Sequence, residues 1–167
     1  MKHLHLAIAV SALLGTATAA LSQPAAGPPW PEQSYRVEWS EAHVPAEVAA
    51  GIRVAVPVAV RNDGDRVWPA SQVFVSYHWF RDDRLIVWDG ERTVLPRDLR
   101  AGSRAALSAR VTTPSEPGAY VLKLTLVHEL VTWFEHRGAA MHIQPVSVRP
   151  PAPLSSCGGS TPCAARQ

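Results

Sequence analysis

Between Tyr77 and Leu99 the chain reads YHWFRDDRLIVWDGERTVLPRDL, which gathers two Trp, four Asp, four Arg and a His into one short segment. Paired carboxylates could work as acid and base on a glycosidic bond if two of them stood about 5–9 Å apart on one wall. The acids available are Asp82, Asp83, Asp89 and Asp98, and all lie in or beside predicted turns. Asp in a turn ordinarily bonds its own backbone, so paired-acid catalysis is not expected. Indole rings can instead stack on the apolar faces of sugars while Asp and Arg bond the hydroxyls. That makes Trp79, Trp88, Asp89 and Arg92, with Trp133 further along, the candidate ligand-binding residues. The competing role for each Trp is a cross-strand or core side chain. For Asp89 and Arg92 it is an ion pair that fixes the loop and stabilises little if exposed.

Other chemistries find less support. No GxSxG elbow is present, and a Cys nucleophile would have to come from a tail without a supporting shell. His128, Glu129, His136 and His142 are near one another in sequence, but a zinc site needs three or four convergent ligands. The acids of RDDR and WDGE lack the alternating pattern of a calcium loop. A catalytic site, a metal and a cofactor are therefore not expected.

The elements that must carry the candidates read as strands. GIRVAVPVAV alternates Ile52, Val54, Val56, Val58 and Val60 with smaller or polar residues, the period of a half-buried strand. Pro57 cannot donate to a ladder, so this strand is expected at a sheet edge or bulged near its middle. After the NDGD turn, Val73, Val75, Tyr77 and Trp79 alternate with Phe74, Ser76, His78 and Phe80, and RDDR turns into a return strand LIVW. An irregular, charged crossing follows. Then come Ala105, Leu107, Ala109 and Val111 on one strand and Tyr120, Leu122, Leu124 and Leu126 on the next. VTWFEHRG and MHIQPVSV are expected to supply the last strands, and SYRVEW the first. Seven or eight mostly antiparallel strands with no amphipathic helix predict an all-β, immunoglobulin-like sandwich. Tyr120, just after a turn, is expected as a tyrosine corner.

The flanks read differently. Residues 1–20 have the order of a signal peptide: Lys2, an apolar run from Leu6, then Ala17, Thr18 and Ala19. That run is too short to span a bilayer, which takes roughly 20 apolar residues, so no stable membrane insertion is expected after cleavage. Residues 21–33 and 150–167 are rich in Pro, Gly and Ser and are expected to be flexible around a domain at 34–149. Cys157 and Cys163 in CGGSTPC form a candidate disulfide in an exported protein, with intermolecular pairing and redox or metal chemistry as alternatives. The 16 basic and 14 acidic residues are interspersed, which gives no basic stripe for nucleic acid.

Two stretches carry resemblances. RNDGDRVWP is similar to the strand and turn signature of the immunoglobulin-like four-tryptophan domain, which implies a structural role for Trp68. The run from YHWFRDDRLIVWDGERT through VTTPSEPGAYVLKLTLVHELVTWFEHRG resembles the accessory β-sandwich modules attached to bacterial surface-polysaccharide glycosyltransferases and methyltransferases. That similarity extends over roughly 52–148 and implies a noncatalytic module. A cytoplasmic assembly role is not expected to carry over, since the leader is expected to direct export. The expectation is a periplasmic or secreted binding module for a cell-surface polysaccharide or other glycan. The alternative is a protein-interaction or scaffold module of a cell-envelope assembly.

Overall fold

The computed structural model describes residues 27–151. The leader, the tail beyond Pro151 and the Cys157–Cys163 candidate disulfide lie outside the described residues. A 3-10 turn at Glu32–Tyr35 leads into β1 (Val37–Ala42), β2 (Glu47–Ala49), β3 (Arg53–Asn62), β4 (Val73–Arg81) and β5 (Arg84–Val87). There follow β6 (Thr93–Val94), β7 (Arg104–Thr112), β8 (Gly118–His128) and β9 (Thr132–Trp133), a second 3-10 turn at Phe134–Arg137, and β10 (His142–Arg149). The strands form two sheets. The smaller has the order β1-β3-β7 and the larger β2-β10-β8-β4-β5, with β6 also on β4 and β9 also on β8. Every pairing is antiparallel except β2 with β10. The fold is an immunoglobulin-like β-sandwich. Three of its ten described strands are pieces of two or three residues, so the seven longer ones make the body.

Alternation builds the core. Val56, Val58 and Val60 on β3 and Ala105, Ala109 and Val111 on β7 face Val73, Val75 and Tyr77 on β4 and Leu122, Leu124 and Leu126 on β8, all of them buried. Burying a Val or Leu side chain contributes about 1.5–3 kcal/mol, so the Val and Leu positions of this set dominate the stability. Trp68 is fully buried between the sheets, and its Nε1 donates to the Ser34 carbonyl at 2.8 Å. Its own backbone forms an isolated bridge with Leu99. Asn62 organises the NDGD turn from inside. Its Nδ2 donates to the Arg66 and Leu99 carbonyls, and its Oδ1 accepts from the Gly64 N–H. Tyr120 Oη donates to the Glu116 carbonyl four residues upstream at 3.0 Å, the geometry of a tyrosine corner.

The structure departs from the sequence reading in three places. The Pro57 strand is central, not at an edge: β3 pairs with β1 on one side and β7 on the other. The missing donor does no harm, because β1 carries the bulge, between Trp39 and Glu41, and its ladder ends at Ala42 opposite Val58. VTWFEHRG is not a full strand; it gives two paired residues and then the 3-10 turn, which Gly138 closes at a φ of 77°. The segment read as flexible up to residue 33 is docked from Trp30 onward. The Trp30 N–H donates to Tyr35 Oη at 2.9 Å, and its ring lies 4.0 Å from that of His128.

Two substitutions test this framework. Tyr120→Phe leaves the Glu116 carbonyl without its hydroxyl and is expected to lower stability by about 0.5–1.5 kcal/mol. Gly64→Ala would put a Cβ 2.5 Å from the Ser34 carbonyl oxygen, and overpacking of that kind costs about 1–3 kcal/mol. Urea unfolding midpoints check both, with the Gly64 variant the less stable of the two.

Candidate functional site

The larger sheet uses both of its faces. On β4, Tyr77 and Trp79 turn inward while Ser76 and His78 turn outward, as a two-residue period requires. The outer residues are nonetheless buried, since two segments cross over them. One is Trp88–Arg92, which runs beside β4 between the two strands that pair with it, β5 and β6. Gly90 allows the close approach: its N–H donates to the Tyr77 carbonyl at 3.1 Å, and a Cβ there would lie 2.4 Å from that same oxygen. The other is β9 with its 3-10 turn, which β8 positions through the pairing of Val127 with Trp133.

His78 sits where these segments meet, with 1% of its side chain exposed. Its ring stacks on Trp88 with centroids 4.3 Å apart and planes 10° from parallel, and it lies 4.6 Å from the ring of Trp133. Both ring nitrogens face oxygen acceptors: Nδ1 the Trp88 carbonyl, and Nε2 the Glu135 carboxylate at 2.9 Å. Thr125 on β8 donates to the other carboxylate oxygen of Glu135. Burial pushes the Glu135 carboxyl up, but the hydrogen bonds from His78 and Thr125 outweigh it and hold the group below the ordinary carboxylate range.

Above this pair the site opens. Trp88 is 39% exposed, stands edge to face with Trp133 at 5.4 Å, and is stacked with the exposed His136 at 5.5 Å. The Arg92 guanidinium lies 4.8 Å from the Trp133 ring centre, a cation over an aromatic face. It also bonds Glu129 at 2.8 Å, the Gly90 carbonyl at 2.8 Å, and the Asp89 carboxylate. Burial draws the Arg92 pKa down, but the bonds and charges of Glu129 and Asp89 raise it above its ordinary value. Asp89 keeps 69% of its side chain exposed. Beside Arg92 and Trp133, a shallow groove of about 220 Å³ follows the β8–β9 turn.

Four of the five candidates read from the sequence, Trp88, Asp89, Arg92 and Trp133, therefore lie together. Trp79 does not join them. It is 1% exposed, faces Tyr120 edge to face in the core, and donates from Nε1 to the Thr112 carbonyl at 2.9 Å. The assignment of Trp79 as a ligand residue is thereby corrected: it packs between the sheets. Its shared register with Val73, Val75 and Tyr77 was the signal. His78, Glu135, Glu129 and His136 were not singled out as parts of this patch, because β4 and the second 3-10 turn are 57 residues apart at the His78–Glu135 contact.

The histidines weighed for metal binding have separate surroundings. His128 meets Tyr35, His136 meets Trp88, and His142 lies 6.4 Å from the ring of Trp39. Among the described residues no group of three or more His, Cys, Asp or Glu could hold a metal ion. No helix among them is long and apolar enough to cross a membrane.

Comparison with known proteins adds context to the fold. No protein-family model matches the chain, and no curated protein matches it. Among solved structures it is similar to β-glucosidase from Listeria innocua in complex with glucose, at 15% identity and a TM-score of 0.42; the match covers 68% of this chain and 16% of that one. It is similar to a CARDB domain from Pyrococcus furiosus in complex with di-metal ions, at 20% identity and 0.41, covering 68% of this chain and 86% of that one. It is also similar to an alkylpurine DNA glycosylase from Pseudomonas fluorescens, at 12% identity and 0.44, covering 68% of this chain and 30% of that one. Neither the fold nor the function of this chain rests on likenesses so distant.

Acid should loosen the site. The Glu135 pKa is lowered in the fold, so its contribution is complete above the ordinary carboxylate range and is lost as pH falls through the lowered value. Glu135→Gln should flatten this acid limb of stability. His78→Ala, which strands a buried carboxylate, should cost about 3–5 kcal/mol at neutral pH. Denaturant midpoints between pH 3 and 7, on the order of the carboxylate titration range, with Trp fluorescence as the signal, check both.

Proposed function

We propose that the chain is an exported, noncatalytic binding module whose ligand is a glycan held on the patch of Trp88, Trp133, Asp89 and Arg92. The observation that carries this reading is the convergence of those four side chains, from β5, β6 and β9 surroundings, on one partly exposed surface. Trp88 supplies an indole held against His78, and Asp89 supplies an exposed carboxylate for sugar hydroxyls. Holding the rings before the ligand arrives reduces the ordering cost of binding. Charge narrows the ligand class. Arg92 faces two carboxylates, Asp89 and Glu129. The rim therefore favours neutral or amino-bearing sugars over uronic acids. A cell-surface polysaccharide would meet such a module once the leader at residues 1–20 had directed export.

A second reading, a protein-interaction module, is supported by the free edge of β5, where Leu85 and Ile86 are exposed. An extended partner could add there as a further strand.

A glycan array with the purified protein decides between them. Neutral or amino glycans are expected to bind, and Trp88→Ala and Asp89→Ala, each with an unchanged unfolding midpoint, should weaken binding by about tenfold or more. Absence of binding by the folded wild type to every glycan would overturn the first reading in favour of the second.

A further inference from the structure

A second recess, of about 530 Å³, lies where the segment entering at Gly27 passes the β8–β9 turn. Trp30, Arg66, Gln72, His128, Glu129 and Leu130 are among its walls. It shares the turn with the Trp88 patch but has its own polar groups.

The first is a hydrogen-bond relay. The Trp30 backbone N–H donates to Tyr35 Oη at 2.9 Å, which leaves the single Tyr35 proton for His128 Nδ1 at 3.2 Å. An Nδ1 that accepts fixes the neutral imidazole as the Nε2–H tautomer. Burial lowers the His128 pKa from its ordinary imidazole value, which favours the neutral ring. Its Nε2–H thus remains a donor without a protein partner among the described residues, on a side chain that lines the recess. The second group is Arg66, whose guanidinium has no ion pair or side-chain hydrogen bond among the described residues and lines the same recess. The one acid in this lining, Glu129, is engaged by Arg92 at 2.8 Å. The third is the apolar wall made by the Trp30 ring packed on His128 at 4.0 Å. At the rim stands Leu130, 68% exposed and at a φ of 61°, a backbone region that bulky side chains rarely adopt. Strain of that kind collects at binding loops.

We propose that this recess binds a carboxylate carried beside a ring, with Arg66 pairing the carboxylate, His128 Nε2–H donating to the ligand and Trp30 packing on the ring. A uronic acid residue and a small aromatic acid share this chemistry. The site is independent of the neutral-glycan reading of the Trp88 patch, since its charge selects the opposite class of ligand.

Histidine-ring proton–nitrogen correlation spectra of the full chain test it. Titration with digalacturonate, with neutral galactobiose and with benzoate separates the sources. A saturable shift of the His128 Nε2 signal with digalacturonate supports the sugar acid, and one with benzoate alone supports the aromatic acid. Galactobiose is expected to leave His128 still. Arg66→Gln should weaken the acid response by about tenfold, the loss of one charge-assisted bond, while Trp88→Ala leaves it unchanged. The signals of His78 and His136 report the other patch in the same spectra, so failure of one site is read apart from failure of the other. No His128 shift with either acid, or a shift unaltered by Arg66→Gln, overturns the proposal.

Discussion

The outer face of the larger sheet is held together by one buried pair, the His78 imidazole against the Glu135 carboxylate. A two-residue period leaves β4 no choice but to send His78 away from the core once Tyr77 and Trp79 face into it. The crossing segments then seal it from water, and a sealed polar ring must find partners. It finds the Trp88 carbonyl and Glu135, which ties the β5–β6 crossing to the 3-10 turn after β9. The exposed tryptophans stand on that tie. Trp88 stacks on the His78 ring, and Trp133 packs against both.

The same segments show how a sandwich acquires a surface site without a helix or a deep pocket. Ladder pairing accounts for both flanks of each crossing, and the residues between the paired ends, Trp88–Arg92 and Phe134–Arg137, bring their side chains to a common point. Arg92 is the hub of the upper layer because a planar guanidinium can bond several oxygens and lie over an indole at once. Gly90 is needed beside it, since any side chain would strike the Tyr77 carbonyl. On the far side of the β8–β9 turn, Tyr35 Oη accepts from the Trp30 N–H and meets His128 Nδ1, which positions the His128 ring.

Much of the fold was legible because the signals are local. Alternation in Val54–Val60, Ala105–Val111 and Tyr120–Leu126 identifies the core-facing registers, and RDDR marks the hairpin that Asp82 and Asp83 close at φ of 48° and 58°. Pro57 was misleading because a missing N–H reports only that no donor is available there. Whether that makes an edge or a central strand depends on where β1 stops, which is a property of another segment. VTWFEHRG has strand composition, yet only Thr132 and Trp133 pair, since Phe134 turns inward to pack on Tyr35 and Trp68.

The sequence by itself determined the class of fold, the core-facing alternation of β3, β7 and β8, and the residues with chemistry to offer. Those follow from the two-residue period and from side-chain type, both readable within a few positions. Only the tertiary structure decided that Trp79 is core while Trp88, nine positions on, is surface. It also decided that Glu135 reaches His78 across the sheet and that Arg92 stands over Trp133. Such pairings depend on which strands become neighbours, and neighbourhood in a sandwich is set by packing between segments far apart in the chain.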